Sequence, residues 1–503
     1  MFQVLRQNGA LARAVLIKRT MLKFIVGGLA LSAAAGCGAM SSTDDQAVKH
    51  AGGTINNNAP MANPNGYAAT FSTAGSIDLT GPFFQSLGTN GRTCGSCHAP
   101  EDGWTVVPAH VQQRFNATGG TDPIFRTNDG SVSPVADVST VEARRAAYAM
   151  LTSKGLIRVS MPVPAGADYT LTADDPYHWA SASDVSEFRR PLPSTNLDFL
   201  STVMWDGRET FRSNASNIFG PAYGNNCLNN PFPAGTCFAD VDFDLGDQAN
   251  GATRGHAQAA MDISLPIDRG IVTFEEGLYT AQQQTQGAGQ LDAGANGGAE
   301  NVASESPYFG QNDNFGDYQT HAAFTSNIFD LYNAWSGSSQ PGQAAIARGQ
   351  AIFNTRTFTI DNVGGLNGSH DALGLPSSFA GTCGTCHDTP NGGNHSIPAP
   401  LDIGLVDASQ RTADLPLYHV CRVSNPSDCR DVTDLGRGLV TGKFNDIGKF
   451  KGPVLRALSS RAPYFHNGSA ADIGAAVDFY NTRFHAGFSA QERSDLIAFL
   501  SSL

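Results

Sequence analysis

Cys94-Gly95-Ser96-Cys97-His98 and Cys383-Gly384-Thr385-Cys386-His387 are two copies of one pattern within a chain of 503 residues. C-x-x-C-H is the attachment signal for c-type haem. Two thiols three residues apart on one helical turn reach the two vinyl groups of a single porphyrin. The next residue then sets an imidazole under the iron. The rival reading is a zinc or redox C-x-x-C followed by a chance His. A redox dithiol wants a thioredoxin-like βαβ context, which the flanking sequence lacks. The spacing therefore predicts two covalently bound haems, held by Cys94, Cys97, Cys383 and Cys386, with His98 and His387 as proximal iron ligands.

Each motif follows a short apolar segment. Phe83, Phe84 and Leu87 precede the first, and Ile346, Gly349, Ile352 and Phe353 precede the second on one helical face. Further on, Ile473, Ala476, Val477 and Tyr480 stand at helical spacing. The end of the chain reads as a helix opened by a capping box of Ser489 and Glu492, with Leu496, Ile497, Phe499, Leu500 and Leu503 on its apolar face. Alternating strand patterns are few. The pattern predicts a mainly α protein of two c-type cytochrome domains with long loops, the haems near the domain interface. The expected boundaries are a leader over 1–37, a flexible tether over 38–75, an N-terminal haem domain over 76–335 and a C-terminal haem domain over 342–503. The run from Gln282 to Ser306, rich in Gly, Ala, Gln and Asn, reads as a surface loop.

Composition bounds the rest. Charged residues are 15% and the formal net charge is −13, which argues against nucleic acid and allows a basic protein partner. In the leader, Lys18, Arg19 and Lys23 precede an apolar stretch, Phe24 to Ala35, too short to span a bilayer and fitted to a signal sequence. Ala34-Ala35-Gly36-Cys37 resembles a bacterial lipoprotein box, which would make Cys37 a lipid anchor; ordinary signal cleavage nearby is the alternative. The membrane is otherwise not expected to be touched. Of the remaining cysteines, the local pairs Cys227–Cys237 and Cys421–Cys429 are the simplest disulfides, among the three pairings that four cysteines allow.

The eight methionines end at Met261, so none follows Cys383. A haem in the second region has no local Met for its distal side, the ligand that raises the potential of simple electron carriers. Tyr480, His466, His485, His395 and His419 remain as candidates, or no ligand at all.

Lys451-Gly452-Pro453-Val454-Leu455-Arg456 and Arg461-Ala462-Pro463-Tyr464-Phe465-His466-Asn467-Gly468-Ser469 resemble the C-terminal signature of the bacterial di-haem cytochrome c peroxidases and MauG-type enzymes, which is shared with di-haem rubber oxygenases. Met204-Trp205-Asp206-Gly207-Arg208 is similar to that superfamily's W-D-G-R motif. With both C-x-x-C-H motifs, the resemblance covers about residues 80–503. It implies that Trp205 lies between the haems and helps electrons pass. It implies that His466 sits at the second haem, beside a propionate or on the iron. Tyr480 falls where peroxidases carry an axial Met and MauG-type enzymes an axial Tyr. Gln248 matches a distal glutamine at the first haem. The expected distal Glu falls on Gln258, which cannot exchange protons as a carboxylate can. His256 and Glu275 are the candidates for that proton shuttle, and His110 is a candidate displaceable ligand. The resemblance also implies a peroxide or oxygen substrate, a small cytochrome c or cupredoxin as electron donor, a periplasmic location in a Gram-negative bacterium, and calcium as an additional ion. The expected activity is reduction of hydrogen peroxide. The alternatives are oxidation of an organic or protein substrate, and simple electron carriage.

Overall fold

Helical spacing near the C-terminus produces helices. In the computed structural model, α7 (Pro341–Thr355) carries Ile346 and Phe353 inward. Asp472 caps α9 (Ile473–Arg483) by accepting the Ala475 N–H at 2.8 Å. Ser489 and Glu492 cap α10 (Ala490–Leu500) reciprocally. Together α7, α9 and α10 bury Ile346, Phe353, Ile473, Val477, Leu496 and Phe499 in one core. α7 and α10 approach so closely at Gly349 that a Cβ there would lie 2.0 Å from the Asp495 carbonyl oxygen, so only glycine fits.

The structure describes residues 53–210, 241–305, 312, 323–368 and 376–503. The leader with Cys37, and the Cys227–Cys237 pair, lie outside the described residues. Among those described, no helix is long and apolar enough to cross a membrane. The other helices are α1 (Pro108–Thr118), α2 (Val141–Ala147), α3 (Ala149–Lys154), α4 (Val241–Gly255), α5 (Leu265–Glu276), α6 (Ala299–Ala303) and α8 (Gly438–Thr441).

The expectation of a mainly α protein is overturned: the chain is mixed α/β. Small antiparallel sheets recur along it. β1 (Thr54–Asn56) pairs with β4 (Ser76–Asp78). β2 (Met61–Asn63), β3 (Gly66–Ser72), β8 (Leu278–Thr285) and β9 (Gly289–Gln290) form a four-stranded sheet in that order. β5 (Ile157–Met161) pairs with β7 (Val185–Arg189), and β10 (Phe358–Asp361) with β11 (Ser378–Gly381). β6 (Tyr169–Asp174), β12 (Leu417–Arg422) and β13 (Asn425–Val432) make a sheet with β12 central.

Two of these strands escape a search for alternation because they are buried on both faces. β7 is buried at every position, and β8 at all but one. In β8 the buried amides are satisfied. Gln282 pairs with Asn63 at 2.8 Å, and Gln283 donates to Asp292 at 2.9 Å. The polar run expected to be a surface loop therefore begins as an inner strand. Likewise the described part of the expected tether holds β1, β2 and β3, with Ala68 and Ala69 fully buried. β6 pairs with β12 in the register Leu171↔Val420, tying the two halves of the sequence together, and the described residues form one compact unit.

Candidate functional site

Both C-x-x-C-H motifs fold into the same short 3-10 turn. Thr93 and Thr382 cap the two turns, each in a reciprocal box with the residue three positions on, Ser96 and Thr385. The turn presents the following histidine to a cavity. His98 lines one of about 180 Å³, and His387 another of about 250 Å³. Protein interiors leave few voids larger than a water molecule, so both are built spaces. His98 thus marks the first cavity and His387 the second.

Each histidine is held by its Nδ1. In His98 that nitrogen lies 3.0 Å from the Trp104 carbonyl oxygen and 3.0 Å from Ser194 Oγ. In His387 it lies 2.6 Å from the Gly393 carbonyl oxygen. A carbonyl only accepts, so Nδ1 carries the hydrogen and Nε2 keeps its lone pair for a metal. Burial reinforces the neutral ring, pushing His98 down to about 4 and lowering His387 as well. Burial also pushes the thiols of Cys94, Cys383 and Cys386 up to about 12 and raises that of Cys97. A redox dithiol needs the opposite shift, so these cysteines are not poised for disulfide chemistry.

The walls of the two cavities differ. Asp129, Glu275, Gln248 and His256 line the first. Asp129 bridges Arg92 and His256 Nδ1 by close contacts. Burial alone would raise this carboxyl, but Arg92 and His256 outweigh it and hold it low. Glu275 is buried on α5, its Oε2 without a hydrogen-bond partner, and burial pushes it up to about 7 against a hydrogen bond from Ser194. Ser194 thus stands between the Glu275 carboxyl and Nδ1 of His98. Gln258 is exposed, in left-handed backbone, and lies outside the lining. His110 is bonded to Asp102 and is likewise outside it.

Among the described residues no carboxylate lines the second cavity. Tyr480 does, with its ring centroid 6.3 Å from that of His387, and burial raises its phenol. His466 does too. It is buried, stacked on Phe450 at 4.1 Å, with neither ring nitrogen hydrogen-bonded, and burial pushes it down to about 4. His395, His419 and His485 are not part of this lining. Of the five residues named for the distal side, Tyr480 and His466 are the two that line this cavity.

A shared wall separates the cavities. Trp205, Pro191, Leu192, Lys451 and Arg461 border both. Trp205 donates its indole N–H to the Arg190 carbonyl at 2.7 Å, and its ring lies 6.3 Å from that of His466. Lys451 is buried with its Nζ on the Thr202 carbonyl at 2.8 Å, and burial pulls it down to about 7. Arg461 has its Nε unpartnered and is drawn to about 10 by burial. Buried cations lacking a carboxylate partner are electrostatically incomplete. Haem propionates are anions of the kind they lack. With a free Nε2 and a thiol pair in each cavity, the donors present fit a haem in each.

The sequence pointed to His98, His387 and their paired cysteines but gave no role to Ser194, Asp129, Arg92 or Lys451. The one signal on offer was the threonine that caps each motif. Among the described residues no three Asp or Glu side chains converge at ligand distance.

No protein-family model matches the chain. A stretch of 133 residues is 33% identical to the cytochrome-c peroxidase IdrP2 of Denitromonas iodatirespirans, covering 24% of this chain and 36% of that protein. A stretch of 140 residues is 34% identical to the cytochrome-c peroxidase IdrP1 of Pseudomonas sp. (strain SCT), with the same shares. The cytochrome c551 peroxidase of Nitrosomonas europaea is 39% identical over 69 residues, or 14% of this chain and 21% of that one. The chain spans about a third of the length of the first two relatives. A solved MauG-like protein associated with microbial copper homeostasis aligns over 84% of this chain and 87% of its own, at 16% identity and a TM-score of 0.34.

Proposed function

We propose that this chain, a member of the di-haem cytochrome c peroxidase and MauG-type superfamily, reduces hydrogen peroxide at one covalently held haem with electrons relayed from a second. The observation that carries this reading is the asymmetry of two matched cavities: Asp129, Glu275 and His256 line the first, whereas no carboxylate among the described residues lines the second. Peroxide reduction consumes protons as well as electrons, so it belongs where protons can be exchanged.

When bound, haem would supply a redox-active iron centre able to exchange electrons with peroxide. His98 and His387 would hold it through Nε2, with Cys94 and Cys97 or Cys383 and Cys386 as thioethers. His256, its Nδ1 fixed by Asp129, is the group that takes a proton from one peroxide oxygen and returns it to the other. Gln248 offers an amide to orient the substrate in the same cavity. Glu275 acts through Ser194 on Nδ1 of His98, setting how strongly that ring donates. Trp205, on the wall common to both cavities, is the path for electrons, and Lys451 and Arg461 neutralise propionates. The reading carries with it a small cytochrome c or cupredoxin as donor and a periplasmic location, with Cys37 as the lipid anchor.

Tyr480 favours a second reading. A phenolate ligand stabilises oxidised iron, which suits storage of oxidising equivalents for attack on an organic or protein substrate. Electron paramagnetic resonance of the resting holoprotein tests the proposal. One high-spin ferric signal is expected from an open first site. Two low-spin signals that persist on partial reduction would make the protein an electron carrier. Turnover of peroxide with a reduced donor cytochrome then separates peroxidase from substrate oxidase.

A further inference from the structure

On the sheet formed by β6, β12 and β13, the two faces carry different chemistry. Tyr418, Val420 and Val432 point into a buried core. The other face of the β12–β13 pair carries two adjacent rungs, His419 opposite Asp431 and Cys421 opposite Cys429. The cysteines are joined as a disulfide. His419 Nδ1 lies 2.7 Å from Asp431 Oδ1, and its Nε2 lies 3.2 Å from Cys421 Sγ. The imidazole nitrogen and both sulfurs all fall within 4.8 Å of one another.

We propose that reduction of Cys421–Cys429 uncovers a surface binding site for a thiophilic d10 cation, Cu(I) or Zn(II), with Cys421 Sγ, Cys429 Sγ and His419 Nε2 as ligands. Two thiolates and an imidazole are soft or borderline donors that select these ions over Ca(II) or Mg(II). Asp431 accepts from Nδ1 and so fixes the tautomer that offers Nε2, the arrangement that supports metal-bound histidines generally. The ligands stand on a rigid antiparallel pair whose inner face is packed, so little ordering is needed on binding. In the reducing step an external protein dithiol gives two electrons and two protons. Its own sulfurs join as the Cys421–Cys429 bond breaks into two thiols, and metal binding releases the thiol protons. The oxidised form has no thiolate to offer, so the disulfide acts as the lock.

The test uses the haem-loaded protein with Cys227→Ser and Cys237→Ser in every sample, so that the four C-x-x-C cysteines are consumed and Cys421 and Cys429 are the pair left for the phosphine to reduce. Oxidised and phosphine-reduced samples are incubated with Zn(II) or Cu(I), passed through gel filtration, and analysed for metal against iron. One equivalent retained by the reduced protein alone is expected, with the two metal arms identifying the ion. His419→Ala should weaken binding at least tenfold and Asp431→Asn roughly tenfold, by competition with a chromophoric chelator. The Cys421→Ser/Cys429→Ser variant, and the parent protein alkylated after reduction, should retain none. The proposal is overturned if the reduced parent holds no more metal than these two controls, or if His419→Ala binds as tightly as the parent. It is equally overturned if alkylation shows that the disulfide resists the phosphine in the folded protein.

Discussion

The first and second cavities are built around the same turn and surrounded by different chemistry. In each, a threonine-capped 3-10 turn delivers a histidine whose Nδ1 bonds to a backbone carbonyl. Around His98 stand Asp129, His256 and Glu275; around His387 stand Tyr480, His466, Phe353 and Phe484. The turn that presents each histidine and the lining that faces it thus come from different parts of the fold. A short local motif suffices for the first, whereas the second depends on which distant segments close over it. A cavity with proton-exchanging walls can couple electrons to bond cleavage, and an aromatic one holds or passes electrons.

The largest effect should come from removing one C-x-x-C pair. Cys383→Ser/Cys386→Ser should halve the haem per chain, read by pyridine haemochrome against protein. The surviving spectrum should be that of the first site alone. Next in size, His256→Ala should slow the bimolecular reaction with peroxide by about 10²–10⁴-fold, the range of a positioned acid–base group. Tyr480→Phe should leave that step within a few-fold. Equal losses in stopped-flow traces would erase the division of labour. Tyr480→Met should raise the potential of the second haem by an amount on the order of 10² mV, since axial ligands span about 0.8 V; spectroelectrochemical titration reads it.

The smallest effect concerns Glu275. Its carboxyl titrates near 7 in the folded chain against an ordinary value of 4.5. The folded state therefore favours the protonated form. The stability this contributes is complete below about pH 4.5 and is lost as pH rises through about 7. Glu275→Gln should flatten the stability profile across that window. If Glu275 acts on His98 through Ser194, the same variant should abolish a shift of the first haem's Soret band near pH 7 while leaving the second haem's spectrum fixed.

Much of the α-helical structure was legible from spacing alone. The faces of α7, α9 and α10, and the capping box at Ser489, follow from local pattern because each is decided within one or two turns. β8 was not legible, because Gln282 and Gln283 are inner-strand residues only by virtue of Asn63 and Asp292. The same holds for the site. Tyr480 stood out because the chain has no late methionine, and the structure brings it into the His387 cavity. Gln258 satisfied a spacing argument and lies at the surface, because the turn after α4 carries it outward in left-handed backbone.

Local pattern alone fixes the two capped C-x-x-C-H turns, the histidine that each turn presents to a cavity, and the helices that flank the second motif, since each rests on contacts between near neighbours. Long-range packing places Trp205 on both cavity walls, brings Glu275 to His98 by way of Ser194, and pairs β6 with β12. Those relations join segments far apart along the chain. Burial and long-range hydrogen bonding fix them, and no local periodicity encodes either.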